Sequence, residues 1–253
     1  MAELMMTRRK FLALAALALP AAAGADARWI ETKALRVTSL TRGRTHRFVH
    51  FTDLHHKGDV AYATEVVRTI NELAPQFVCF TGDLVENRAF APEALNFIRQ
   101  IKAPVYGSPG NHDYWCGASF AEYDRAFAAT GGAWLVDRSV ILHNGIELVG
   151  LGAASWRHIP PRRTQQRIAL MHYPIQARQF KNEQFELMLA GHSHGGQVRL
   201  PFYGAPILPW GVGPYQLGFY DTVAGPLYVS AGIGTYRLPV RFNCRPEITL
   251  VSI

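Results

Sequence analysis

The sequence predicts a single α/β domain with a largely parallel sheet in its N-terminal half. The chain has 253 residues, 49% of them hydrophobic and 18% charged, which suits one sizeable packed domain better than two. Short apolar runs rich in β-branched and aromatic residues recur along it. Helical patterns separate the first of these runs, so each connection from strand to strand is a crossover, as in a parallel sheet.

The first 27 residues are predicted to be a signal peptide of the twin-arginine type. Arg8 and Arg9 precede an apolar run over 11–23, and the small residues at 25–27 fit a cleavage site. The run is shorter than the roughly 20 apolar residues of a membrane span. We therefore expect the twin-arginine machinery to export residues 28–253, which form the folded domain, to the periplasm or cell envelope. A retained signal that tethers the chain to the membrane is one alternative, and an N-terminal helix of the fold is another.

The chain is basic, with a formal net charge of +7. The charge is +6 without residues 1–27, because that segment holds three basic and two acidic residues. This balance favours anionic lipid surfaces, phosphorylated substrates or acidic wall polymers as partners, and a merely solvated basic surface explains it equally well. No nucleic-acid partner is expected, since no basic stripe is interleaved with aromatic residues.

Three cysteines cannot all pair within one chain. Cys79 lies in an apolar run and is predicted to be a small core residue. Whether Cys116 and Cys244 form a disulfide in an oxidising compartment is left open by the sequence.

The predicted elements alternate along the first half of the chain. Apolar runs predict five strands, at 48–51, 77–80, 104–106, 168–171 and 187–189. Helical periodicity predicts three helices, at about 60–73, 91–101 and 119–130.

Polar side chains follow every one of these five strands. In parallel sheets, ligand-binding groups gather beyond the carboxyl ends of the strands. The side chains expected to meet there are Asp53, His55, Asp83, Asn111, His172, His192 and His194. Carboxylate, carboxamide and imidazole groups without thiolate suit divalent Mn, Fe or Zn. Seven ligands exceed the need of one tetrahedral ion and predict two divalent ions that share a carboxylate.

Five short motifs contain these residues in a fixed order. They are "DLH" at 53–55, "GD" at 82–83, "GNHD" at 110–113, "MH" at 171–172 and "GHSH" at 191–194. Together they resemble the pattern of the calcineurin-like metallophosphoesterases. The longer stretch "GHSHGGQVRLP" and the tail "SAGIGTYRLPVRFNCRPEITL" look like the exported and membrane-associated bacterial branch of that family.

The resemblance implies a four-layer α/β/β/α sandwich of two mixed β-sheets. It also implies that one ion is held by Asp53, His55 and His194. The other would be held by Asn111, His172 and His192, with Asp83 between the two. The implied reaction is hydrolysis of a phosphate ester by a hydroxide that bridges the metals.

His112, inside the third motif, is the predicted general acid. It would stand free of the metals and donate a proton to the leaving oxygen. Beside two cations, its imidazolium needs support from a carboxylate. Some members of the family carry Asp at the end of a G-D-x-x-D pattern for this purpose, and this chain carries Glu86 there. Whether the longer Glu86 fills that role is left open, as is whether Asp113 caps the segment after it.

Three further features have two interpretations each. Residues 200–220, rich in Pro, Gly and aromatics, are either an apolar wall for an acyl-bearing substrate or an ordinary packed loop. His56 is expected to face solvent rather than to support the site. Four arginines ahead of His172 either hold a phosphate or lie in a solvated loop; they are Arg157, Arg162, Arg163 and Arg167.

The leading functional prediction is a metal-dependent phosphoesterase that acts on a phosphodiester or phosphomonoester at the cell envelope, on a lipid or a wall polymer. A narrower alternative is hydrolysis of a UDP-2,3-diacylglucosamine-like precursor of lipid A, an activity found among related proteins. That precursor is cytoplasmic, which conflicts with export. A non-catalytic, metal-stabilised envelope-binding module is an alternative of another class, and a histidine free of metal, such as His112, argues against it.

Overall fold

The computed structural model describes residues 27–37, 46–152 and 159–253. Apart from Ala27, the predicted signal peptide lies outside the described residues, as does Arg157. Within the described ranges, twelve strands form two six-stranded sheets. No helix in these ranges is long and apolar enough to cross a bilayer.

The first sheet contains the strands that precede the N-terminal motifs. Its order is β1 (Glu31–Arg36), β12 (Glu247–Ser252), β2 (Arg47–Phe51), β3 (Phe77–Phe80), β4 (Val105–Gly107) and β5 (Ala133–Trp134). All neighbours are parallel except β12 and β2. The helices in the connections are α1 (Val60–Glu72), α2 (Ala91–Arg99), the short α3 (Asn111–Trp115) and α4 (Phe120–Ala128).

The second sheet contains the strands that precede the C-terminal motifs. Its order is β10 (Gly218–Thr222), β11 (Gly225–Val229), β9 (Leu187–Ala190), β8 (Arg167–Leu170), β7 (Glu147–Gly150) and β6 (Arg138–Ile141). The outer pairs β10–β11 and β6–β7 are antiparallel, and the inner pairs are parallel. Both sheets are therefore mixed.

Alternating side chains on the strands build three apolar layers. Val49 and Phe51 point to the core under the helices, whereas Phe48 points into the core between the sheets. Met188 on β9 faces a third core, which the 3-10 segment Pro174–Gln179 helps to cover. The predicted sandwich of two mixed sheets is confirmed. In the described residues, the layer on the outer face of the second sheet consists of this 3-10 segment and coil.

The five predicted strands and three predicted helices are all present, with ends shifted by one or two residues. Cys79 is buried in the core between the sheets, as predicted. All three cysteines are free thiols, so Cys116 and Cys244 form no disulfide in this structure.

Candidate metal centre

All seven predicted ligands lie where the carboxyl ends of the parallel strands meet at one edge of the two sheets. Four follow strands β2 and β3 or begin a helix after β4, and three follow β8 and β9; in chain order they are Asp53, His55, Asp83, Asn111, His172, His192 and His194. The donor atoms of six of them, all but Asn111, form overlapping groups within 4.8 Å, and one of these groups, with His55 and Asp83, also includes His112. Residues separated by up to 141 positions in sequence thus converge on one cluster.

One part of the cluster, here the inner half, consists of Asp53, His55 and His194. The Nε2 atoms of the two histidines are 3.0 Å apart, and His194 Nε2 is 3.4 Å from Asp53 Oδ1. All three side chains are buried. Two imidazole nitrogens and one carboxylate oxygen therefore point at a common position, as the ligands of a single ion do.

The other part, here the outer half, consists of Asn111, His172 and His192. His172 Nε2 lies 3.0 Å from Asn111 Oδ1 and 3.1 Å from His192 Nδ1. His192 is partly exposed, so this half is the one that opens toward solvent.

Asp83 lies between the two halves. Its Oδ2 is 3.5 Å from His55 Nε2 in the inner half and 3.2 Å from His172 Nε2 in the outer half. A carboxylate in this position can be shared by two ions.

The second ring nitrogen of three of the histidines has a partner that orients the ring. Nδ1 of His172 lies 2.8 Å from the Thr81 carbonyl oxygen, and Nε2 of His192 lies 2.6 Å from the Trp210 carbonyl oxygen. Nδ1 of His55 instead lies 2.9 Å from the Glu86 carboxylate. Such partners fix which nitrogen is left to face a metal and raise its basicity.

The charges of the cluster fit divalent cations. Burial opposes a charged imidazole, but the carboxylates of Asp53, Glu86 and Asp83 raise the pKa of His55 to about 10. In the same way the pKa of His172 rises to about 9, against its burial and largely because of Asp83. These carboxylates favour positive charge at the imidazole nitrogens, and bound divalent cations would supply that charge in place of the protons. Two divalent ions that share Asp83 therefore suit the donor set and its charge.

His112, the predicted general acid, lies beside the cluster in α3. Its Nδ1 is 3.1 Å from one oxygen of Glu86, whose other oxygen contacts His55. Its own backbone N–H donates to Asp83 at 2.7 Å. The His112 ring packs between Trp115 and Tyr236, at centroid distances of 5.1 and 5.4 Å. Glu86 thus contacts both a predicted ligand and the predicted acid.

Asp113 is a structural residue of the site. Its buried carboxylate accepts hydrogen bonds from the backbone N–H groups of Asp83, Leu84 and Gly110, and from the Tyr123 hydroxyl. These bonds tie the end of β3 to the end of β4. The bond to Gly110 caps α3, the helix that contains Asp113, rather than the segment after it.

The backbone of the cluster is unusual. Five of the predicted ligands have left-handed φ angles between 46° and 67°; they are Asp53, His55, Asp83, His192 and His194. Left-handed conformations cost roughly 1–2 kcal/mol per residue, and Asp and His tolerate them better than most residues. Gly191 is needed for another reason, because a Cβ there would collide with the Asp53 carboxylate. The surrounding sheets impose these turns, which aim the side chains inward.

The expectation for His56 was wrong, and buried Arg167 fits neither of the two interpretations offered for it. His56 is buried, not solvent-facing, and its ring contacts the Glu93 carboxylate and packs on Phe97. Arg167 opens β8 at the end away from the metal cluster and pairs there with Glu147 and Glu183, so it holds no phosphate at this site. Arg162 bonds to the nearby residues Thr164 and Gln165.

Several residues of the site carry no signal in the sequence. The Trp210 contact is made by its backbone, which no pattern of side chains reveals. The thiol of Cys244 donates to the His194 carbonyl at 3.4 Å, from the other end of the chain. Tyr173 packs on His192 at a centroid distance of 4.4 Å, and its place directly after His172 was the one available signal.

Comparison with known proteins assigns the family. The family model described as calcineurin-like phosphoesterase matches residues 46–196. The Bacillus subtilis protein named uncharacterized metallophosphoesterase YkuE is 32% identical, with 98% of each chain covered. Escherichia coli phosphodiesterase YaeI is 26% identical over 98% of this chain and all of its own. The Chlamydia trachomatis UDP-2,3-diacylglucosamine pyrophosphatase LpxG is 25% identical, with 93% of this chain and 94% of its own covered.

A solved structure supports the fold assignment alone. The crystal structure of TT1561 from Thermus thermophilus superposes with a TM-score of 0.51 at 12% identity, covering 75% of this chain and 91% of its own.

Proposed function

Because the chain belongs to the calcineurin-like phosphoesterase family and is a metal-dependent phosphoester hydrolase, we propose that it cleaves a phosphodiester with two divalent ions. The inner half would hold one ion, the outer half would hold the other, and Asp83 would bind both. The observation that carries this proposal is the position of Asp83, whose Oδ2 lies within 3.5 Å of a histidine from each half. A phosphodiester is favoured over a monoester because YaeI, similar over the whole chain, is named a phosphodiesterase.

Two bound divalent ions supply a water of lowered pKa and neutralise charge on the phosphoryl oxygens. The chain's own residues hold the reacting groups and move a proton. Since Glu86 contacts Nδ1 of His112, Nε2 is the atom that faces the leaving oxygen and donates to it. The P–O bond to the leaving group breaks as the bond from the water oxygen forms, and His112 regains the proton that the water gives up. Glu86 stabilises the charged imidazolium throughout this cycle.

The donor set favours Mn, Fe or Zn among the available ions, because it mixes imidazole with carboxylate and carboxamide and contains no thiolate. Cys244, whose thiol contacts the backbone carbonyl of His194, is not one of the grouped donors.

We also propose that the mature chain acts at the cell envelope after twin-arginine export. The support comes from the sequence, namely the arginine pair at 8–9, the short apolar run and the small residues at 25–27. A metal centre assembled from five separate motifs of the chain gives a physical reason for export in the folded state, because the ligands meet only after folding.

A second candidate is hydrolysis of a pyrophosphate that carries acyl chains. LpxG is named for this type of substrate, and the residues that follow the last motif expose several large apolar side chains beside the outer half. The same centre would cleave a phosphoanhydride, and the exposed apolar segment would contact the acyl chains.

A panel of esters separates these candidates. We expect the chelated protein to be inactive and to regain hydrolysis of bis(p-nitrophenyl) phosphate with Mn²⁺ or Zn²⁺. p-Nitrophenyl phosphate tests the monoester, and UDP-2,3-diacylglucosamine tests the second candidate. Faster cleavage of the lipid pyrophosphate than of every diester would favour the second candidate, and no metal-dependent cleavage of any ester would overturn both.

His112 distinguishes an enzyme from a binding module. We expect His112→Ala to keep two ions per chain by elemental analysis and to lose about 10²–10⁴-fold in kcat on bis(p-nitrophenyl) phosphate, because the leaving oxygen loses its proton donor. His143→Ala is the matched control, since His143 is exposed and lies outside the donor groups of the cluster. Unchanged turnover in His112→Ala would remove this residue from the mechanism.

A further inference from the structure

The segment after the last metal motif exposes large apolar side chains in an unusual density. Phe202, Tyr203, Ile207 and Trp210 are each about three-quarters exposed or more, within nine residues. Phe202 is at the tip of a turn closed by a bridge between Leu200 and Gly204. These side chains, with Leu200, are here called the apolar rim. Exposed apolar patches of this kind mark interaction surfaces rather than ordinary solvent-facing loops.

The apolar rim borders the metal centre directly. The Trp210 carbonyl contacts His192 of the outer half, and Ala205 packs closely against Gly196, two residues after His194. On the other side of this loop, Gln197 bonds to the carbonyl of Leu238, which is itself 68% exposed. The apolar surface therefore surrounds the mouth of the site instead of lying elsewhere on the molecule.

Charge identifies the occupant of this surface. Between Leu187 and Pro246, Asp221 is the only acidic residue, whereas four arginines lie in the same stretch. Arg241 is buried, and the other three are at least partly exposed; they are Arg199, Arg237 and Arg245. Arg237 is exposed and neighbours Leu238, and Arg199 precedes the turn with Phe202 at its tip. A surface of Trp, Tyr and aliphatic side chains flanked by arginines and nearly free of carboxylates suits an anionic bilayer.

We propose that the apolar rim docks the protein on an anionic lipid bilayer. Phe202 and Ile207 enter the boundary between headgroups and acyl chains, Trp210 and Tyr203 lie at the headgroup level, and Arg199 and Arg237 contact lipid phosphates. The metal centre then faces the headgroup phosphates. That last consequence rests on the proposed function, whereas the docking surface itself is argued from exposure and charge alone.

Vesicle binding by the full chain tests the docking surface. The vesicles contain phosphatidylcholine with 30% phosphatidylglycerol, and pure phosphatidylcholine vesicles are the neutral comparison. We expect the double variant F202S/I207S to bind the anionic vesicles at least tenfold more weakly than wild type, and wild type to bind the neutral vesicles more weakly than the anionic ones. Val223→Ser is the matched control. Val223 is 76% exposed at the β10–β11 turn, which lies at the amino end of β11, whereas the apolar rim follows the carboxyl end of the parallel strand β9. It should bind as wild type does.

A second measurement reports on the rim itself, because the apolar run at 11–23 belongs to the same chain. With brominated phosphatidylcholine in the vesicles, we expect quenching of tryptophan fluorescence in wild type and in Val223→Ser, and a clear loss of that quenching in Trp210→Phe. Equal quenching with and without Trp210, or equal binding by F202S/I207S, would overturn the proposal. So would a wild-type dimer that F202S/I207S converts to a monomer, because the rim would then bind a second copy.

The vesicle assay is independent of catalysis. Failure of every ester assay would overturn the proposed function and leave vesicle binding as measured, and failure of vesicle binding would leave the ester assays as measured.

Discussion

The two halves of the metal centre use similar ligands but support them differently. In the inner half a side-chain carboxylate, Glu86, contacts the second nitrogen of His55. In the outer half the second nitrogens of His172 and His192 contact the backbone carbonyls of Thr81 and Trp210. The inner half is buried, whereas His192 in the outer half is partly exposed.

This difference separates two ways of holding a histidine. A charged side chain raises the basicity of its partner and can be removed by one substitution, so the inner half is open to electrostatic change. A carbonyl is removed only by moving the chain, so the outer half depends on the loops that carry it. Glu86 also contacts His112, which links the inner half to the predicted proton donor.

The largest effect is expected for the residue that both halves share. Asp83→Ala should lower metal content below one ion per chain and reduce kcat/KM on bis(p-nitrophenyl) phosphate by roughly 10³-fold or more, because a metal supplies several kcal/mol of stabilisation. Elemental analysis measures the metal content, and steady-state rates give kcat/KM. Asp124→Ala, at an exposed carboxylate on α4, is the control. Two ions retained in Asp83→Ala would show that the halves bind independently.

A smaller effect, confined to the inner half, is expected for Glu86→Gln. It keeps the size of the side chain but removes the charge that raises the pKa of His55. We expect the affinity of one ion to fall about 10–100-fold while the other is unchanged, as measured by metal titration.

Glu93→Gln is the matched control for that substitution. Glu93 contacts His56, which lies outside the donor groups of the cluster. Metal affinity equal in wild type and Glu86→Gln would show that Glu86 serves His112 alone, and the two halves would then differ less than their contacts suggest.

The smallest effect is expected in the outer half, from Gly211→Ala. Gly211 has a φ of +95°, and a Cβ there would lie 2.7 Å from a Tyr173 ring carbon and 3.5 Å from His192 Nε2. Relief of that contact moves the Trp210 carbonyl, so we expect about tenfold or less loss of affinity for one ion by metal titration. Gly218→Ala is the control, with a φ of +91° and open space around the new Cβ. Equal losses in both variants would assign the effect to backbone strain alone.

The strands that end in ligands were predictable because their residues are apolar and compact in sequence. Runs such as Phe77–Phe80 and Leu187–Ala190 are buried on both faces, as inner strands of a covered sheet are. The antiparallel outer strands were not predicted. β6 and β10 contain only exposed and half-buried residues, so they lack a compact apolar run. β1 pairs with β12 from the other end of the chain, which no local pattern indicates.

The residues of the centre were predictable as a set, since each follows a strand or belongs to a short motif. Their supports were not. The position of Glu86 matched a spacing, but its contact with His55 depends on the loop after β3, and the Trp210 contact uses a backbone atom. The prediction that His56 faces solvent was wrong because its neighbour Glu93 lies a further 37 residues along the chain.

The left-handed turns at the cluster limit how far its chemistry can be redesigned. An engineer who wishes to change metal preference would exchange ligands, for example His for Cys or Asp for Glu. At Asp53, Asp83 or His194 the replacement must also accept a positive φ, which a longer or less tolerant side chain accepts poorly. Variation in metal use is therefore easier to obtain at Asn111 and His172, because neither residue has a left-handed φ angle that a replacement would have to adopt.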